Sequence, residues 1–172
     1  IAARLNNIGA VYLRQKRYRE AEDIFLERRR LQARIAKTKL IHGGLIETHL
    51  ALKRYDDALA LLRETPPVWR DNSVRHMEYA TQYGQALRGK GQLKEAAQEL
   101  LKAVLISEEM RQHAGDKEGF FTGGGYISRS APHRLLVSVL AERAMAGETI
   151  EHDLSRRCAH RWPSKPSRLP SS

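Results

Sequence analysis

Three groups of residues in this chain have types that do chemistry, and none has the spacing. His152, Cys158 and His160 form the one cluster of soft metal-ligand types. On a helix His152 and Cys158 fall on different faces, Cys158-x-His160 does not match a paired zinc spacing, and no fourth ligand accompanies them. The same separation turns the Cys158 thiol and the His160 ring away from each other, so the imidazole cannot activate a nucleophile. Thr122-Gly123-Gly124-Gly125 could aim several backbone N–H groups at an anion. No strand pattern precedes it and no Lys-Ser/Thr pair follows, as a nucleotide loop requires, so it reads as a linker. His42, His49, His76, His113 and His133 are scattered, with no carboxylate at a spacing that builds a triad. The acid pairs Asp56-Asp57 and Glu108-Glu109 fall at helix starts or on exposed faces, where they complement the helix dipole or nearby cations. No catalytic residue, no metal and no cofactor is expected.

Composition narrows the remaining classes. No run of about 18 apolar residues could span a membrane, and no apolar segment reads as a signal peptide. With one cysteine an internal disulfide is impossible, which fits a reducing, cytoplasmic setting. The chain does not open with methionine and Ile1 already sits inside a helical pattern, so further repeats are expected upstream. The net charge of +10 is concentrated: residues 1–37 hold ten Lys/Arg and four Asp/Glu, leaving +6 there (10 − 4), chiefly Arg14, Lys16, Arg17, Arg19 and the run Arg28-Arg29-Arg30. A basic patch can hold phosphates. No aromatic residues interleave with this one as a nucleic-acid groove requires, so nucleic acid is not the expected partner.

The elements that organise these residues repeat. Tyr18-x-x-Ala21-x-x-x-Phe25 is echoed by Tyr55-x-x-Ala58-x-x-x-Leu62 and by Leu93-x-x-Ala96-x-x-x-Leu100, with the alanines 37 and 38 residues apart (58 − 21 and 96 − 58). A fixed period of that size marks a stacked helical-repeat array. Leu5, Ile8, Gly9 and Tyr12 make one face of a first helix; Gln15-Lys16-Arg17 makes the turn; Tyr18, Ala21, Ile24 and Phe25 make the facing side of a second. A second hairpin is predicted from about residue 35 to 63, turning at Lys53-Arg54 and stopped by Pro66-Pro67. A third is predicted from about 73 to 112, turning at Gly89-Lys90-Gly91, with Gly84 and Ala96 in close contact. Beyond it, Ala114-Gly115-Asp116 and the triple glycine bracket a loop in which Phe120-Phe121 forms a hydrophobic clip. Ser130 is then expected to cap a helix with Pro132 in its first turn, a broad face of Leu135, Leu136, Val139, Leu140 and Met145, and Gly147 at its end. Ile150, Leu154 and Cys158 share one stripe of a following segment. The chain thus divides into three hairpins over 1–112, a loop and capping helices over 113–160, and a Pro/Ser-rich disordered tail over 161–172.

These hairpins resemble the tetratricopeptide repeat family over roughly residues 2–110. The resemblance rests on the small residue followed three later by an aromatic or leucine (Gly9 and Tyr12, Gly84 and Leu87) and on the buried alanines Ala21, Ala58 and Ala96. Three positions depart from it: Ile46 stands where the second repeat should be small, Gly43-Gly44 lie within a helix, and Arg28 stands where a small buried residue is usual. The period is also longer than the family's usual length of about 34, which implies lengthened helices. The resemblance implies an all-α, right-handed superhelical array of antiparallel helix pairs, acting as a non-catalytic scaffold that binds a protein or peptide in a concave groove. Its register places Asn6, Leu13, Arg14, Glu47, Leu50, Thr81, Gln85 and Arg88 in that groove. Some family members clamp a partner's terminal carboxylate, but here Asn6 and Ala10 occupy the corresponding places and do not form that clamp. Residues 77–147 are also similar to the repeat arrays that precede a CHAT domain, a caspase-like peptidase fold. That implies an alternative role as the regulatory array of a peptidase whose catalytic domain lies outside this chain.

Overall fold

The computed structural model describes residues 1–35, 42–64, 73–114 and 128–149. Over these the chain forms seven helices: α1 (Ala2–Arg14), α2 (Tyr18–Ile35), α3 (Gly43–Ala51), α4 (Tyr55–Arg63), α5 (Ser73–Gly89), α6 (Leu93–Ala114) and α7 (Ala131–Met145), with no strand among the described residues. Pro66-Pro67, the 115–127 loop with Phe120-Phe121 and the triple glycine, and the segment holding His152, Cys158 and His160 lie outside the described residues.

One turn builds every hairpin. After α1 the Lys16 amide donates to the Leu13 carbonyl (3.0 Å) and the Arg17 amide to the Tyr12 carbonyl (2.9 Å). The same pair of bonds follows α3 at Lys53 and Arg54, α5 at Gly91 and Gln92, and α7 at Gly147 and Glu148. In each copy the pivot residue has φ between 59° and 79°. This is the two-bond termination in which a left-handed residue lets the last carbonyls find donors. It recurs after α7, so α7 ends as the first helix of each hairpin does. Packing agrees: α3 lies on α1 and α2, α5 on α3 and α4, and α7 on α5 and α6, so α1, α3, α5 and α7 form one layer and α2, α4 and α6 the other.

The repeated sequence pattern supplies the core. Ala21, Phe25, Ala58, Leu62, Ala96 and Leu100 are all buried, none more than 2% exposed. Phe25 packs where two glycines meet. A Cβ built on Gly9 would lie 2.6 Å from the Phe25 ring, and one built on Gly44 would also fall closer than 3.0 Å to the same ring. The aromatic ring of hairpin one therefore reaches both its own first helix and the first helix of hairpin two. Gly89 receives the Tyr55 ring in the same manner at the next seam, and Gly84 receives Leu100.

Several expectations change. The second hairpin begins at Gly43, because α2 continues to Ile35 and takes up the expected lengthening there. Ile46 does stand at the register position of Gly9 and Gly84, seven residues before the turn's pivot, and is core there, while Gly44 makes a different contact, with the Phe25 ring of the preceding hairpin. Ile8 is 43% exposed and Met145 80% exposed, so neither helps form the face assigned to it. Ser130 stands at the start of α7 without a side-chain cap; its hydroxyl bonds the Ser128 hydroxyl instead (2.9 Å). Arg28 is accommodated half-buried on α2.

His42 precedes α3 and is nearly buried. Its Nε2 lies 3.9 Å from Glu64, whose carboxylate already accepts a hydrogen bond from Arg29 (2.9 Å). Burial, reinforced by the positive charges of Arg29 and Arg28, lowers the His42 pKa from near 6.5 to about 4.

Gly44→Ala should cost about 1–3 kcal/mol in urea unfolding by overpacking against Phe25, and Phe25→Leu in the same chain should recover part of that loss. An unfolded His42 takes up its proton near 6.5 while the folded one resists until about 4, so this group lowers stability as pH falls through that window. Relative to His42→Gln, wild type should lose roughly 3 kcal/mol between those limits, at about 1.4 kcal/mol per pH unit.

Candidate functional site

Side chains of α1, α3 and α5 enclose an open cleft of about 540 Å³ lined by Asn6, Ala10, Leu13, Arg14, Glu47, Ala51, Val74, Arg75 and Glu78, with Tyr18 at the start of α2. A second cleft of about 450 Å³ lies between α3, α5 and α7, lined by Glu47, Leu50, Ala51, Gln85, Arg88, Leu135 and Glu142, with Tyr55 from α4 and Gly89. Glu47 and Ala51 border both clefts, so the two adjoin along the layer of first helices.

Of the residues the sequence assigned to a groove, Asn6, Leu13, Arg14 and Glu47 line the first cleft, and Glu47, Leu50, Gln85 and Arg88 the second. Thr81 does not. It is fully buried, and its hydroxyl donates to the Met77 carbonyl (2.7 Å), as Thr48 does to Gly44. A hydroxyl satisfied within its own helix can sit in the core at small cost. Arg88 is already committed: its guanidinium pairs with Glu142 (Nε to Oε1 3.0 Å) and donates to the Ser138 hydroxyl (2.8 Å), tying α5 to α7.

Val74, Arg75 and Glu78 line the first cleft and were missed. The signal was available in helix length. Arg75 stands nine residues before the close-contact glycine Gly84, and α5 begins two residues earlier still, at Ser73. The first turns of α5 therefore carry these side chains to the cleft shared with α1.

Charge in the clefts is unevenly compensated. Glu47 receives a single long hydrogen bond from the Gln82 amide (3.4 Å), and Gln82 also reaches the Gly43 carbonyl (3.3 Å). Burial raises the Glu47 pKa, the Gln82 bond opposes that in part, and the negative charge of Glu78 adds to it. Arg14 lies exposed on the last turn of α1, complementing the helix dipole, with no ion pair to a described residue. The basic run is largely used within the fold: Arg29 bonds Glu64 (2.9 Å) and Arg30 lies 3.7 Å from Glu27, while Arg28 borders a smaller cleft with Asn7 and Gln32.

Histidine–carboxylate contacts exist but act as braces between helices. His49 on α3 meets Glu22 on α2 (3.1 Å), and His133 on α7 meets Glu108 on α6 (3.0 Å). No serine, threonine or cysteine stands at either pair in the role of a nucleophile among the described contacts. Among the described residues no group of three or more His, Cys, Asp or Glu is placed to hold a metal ion, and no helix is long and apolar enough to cross a membrane.

Residues 1–31, which cover α1, its turn and most of α2, match the family model of the tetratricopeptide repeat. That match does not reach the 77–147 stretch on which the similarity to CHAT-associated arrays rests. No curated protein and no solved structure matches the chain significantly.

Because Glu47 holds its proton more tightly in the folded state than in the unfolded one, its ionisation works against the fold at neutral pH. Glu47→Gln should therefore raise the melting temperature at pH 7. The gain should shrink as pH falls through the raised pKa and vanish below the ordinary value of 4.5, as thermal melts across that range would show.

Proposed function

We propose that this tetratricopeptide repeat protein is a non-catalytic interaction scaffold that holds a partner peptide along the clefts between α1, α3, α5 and α7. Its first hairpin matches the repeat family, whose domains generally mediate protein–protein contacts. The observation that carries the proposal is the adjoining of two clefts through Glu47 and Ala51, which makes one continuous track instead of isolated hollows. A track of this kind suits a peptide, because successive side chains can enter successive clefts while the scaffold stays rigid.

The lining supports the same reading. Leu13, Leu50, Val74 and Leu135 offer apolar area, and Asn6, Arg14, Glu47 and Gln85 offer hydrogen bonds that fix orientation. Arg88 braces the wall of the second cleft through Glu142, so its role here is to hold α7 in place more than to touch the partner. The single cysteine supports a reducing, cytoplasmic setting.

Peptides selected from a random linear library on the wild-type protein provide the test. Ala10→Trp puts an indole into the first cleft and should abolish their binding, whereas Ala144→Trp, on the exposed side of α7, should leave it intact. Equal binding to Ala10→Trp and wild type would overturn the proposal, as would a library that yields no binder.

A further inference from the structure

From the placement of acceptors where the two clefts join, we infer that the partner presents a lysine or arginine side chain there, inserted between α3 and α5. This rests on the peptide-binding reading above and adds the chemistry of one contact. Two observations carry it independently. Glu47 borders both clefts, and among the described residues it meets no cation; its one protein partner is the long Gln82 bond. Gln85, on the next helix and lining the second cleft beside Glu47, has a side-chain carbonyl oxygen that is buried with no hydrogen-bond partner.

Both groups are acceptors in want of more: Glu47 takes only the long Gln82 bond and meets no cation among the described residues, and the Gln85 oxygen takes none. A buried acceptor left unmatched is costly, as the Gln85 oxygen is in the free protein, and the half-buried Glu47 carboxylate is only weakly compensated there. A neutral donor arriving with a partner could satisfy the Gln85 oxygen, but the Glu47 carboxylate gains most from a donor that also carries a positive charge. Lysine and arginine side chains have both properties, and their long apolar stems suit the Leu50 and Leu135 walls on the way in. Glu78 acts on Glu47 electrostatically, while Arg75 lines the first cleft with them both. Arg14 lies away from the junction, on α1, and lines the first cleft only. An acidic partner side chain would meet Glu47 and Glu78 with like charge; an apolar one would leave both acceptors unmatched.

The experiment uses the full 172-residue chain and the library-selected peptides. The selected pool should be enriched in lysine or arginine at one position. A synthetic peptide with norleucine at that position keeps the stem, loses the charge, and should bind roughly tenfold or more weakly by calorimetry. Glu47→Gln should weaken the cationic peptide by a similar factor and leave the norleucine peptide unchanged, so that the two losses do not add. Because the wild-type protein serves for the peptide comparison, a folding defect in Glu47→Gln would not hide the answer. Binders without a cationic preference, or equal affinity for the norleucine peptide, would overturn this inference while leaving the scaffold reading in place. A library that yields no binder would overturn both.

Discussion

The placing of one aromatic ring governs how the array begins. Phe25 comes from the second helix of the first hairpin, yet it occupies the space vacated by two missing side chains, at Gly9 on α1 and at Gly44 on α3. Close packing leaves no room for compromise there: a methyl group on either glycine would enter the ring. The ring thus closes its own hairpin and seats the next one with a single side chain. Tyr55 against Gly89 repeats the arrangement one seam further along. The separation of α1 from α3, and of α4 from α5, follows from those glycines, and the clefts inherit their width from that separation.

The sequence made the repeat legible because burial enforces it. Ala21, Ala58 and Ala96 must be small where two helices cross, and Phe25, Leu62 and Leu100 must be large one turn on; the chain therefore shows the pattern at constant spacing. The turns were legible for a related reason, since each needs a residue that tolerates left-handed backbone, filled by Gly91 and Gly147 in two copies and by Lys16 and Lys53 in the others. The lysines carry the penalty of a Cβ in that region, on the order of 1–2 kcal/mol.

What was not legible depended on contacts between hairpins. The role of Gly44 is set by where the Phe25 ring of the preceding hairpin ends, a contact that the spacing within one hairpin does not signal. Thr81 was assigned to the groove on residue type, although its hydroxyl is satisfied by its own helix and the residue is core. The partnership of Arg88 with Glu142 spans more than fifty residues of chain, a separation over which no local pattern signals contact. Arg75 and Glu78 escaped because they lie in the first turns of α5, well ahead of the repeated glycine that set the register. The fold could be read from local rules; the lining of its clefts required knowing how far each helix extends past its neighbour.

Because each helix here rests only on those beside it, this molecule has no keystone. Damage to one seam is confined to the units it joins, and the rest of the row keeps its own interior. A single seam can therefore open while its neighbours stay closed, as one vertebra shifts without dissolving the spine.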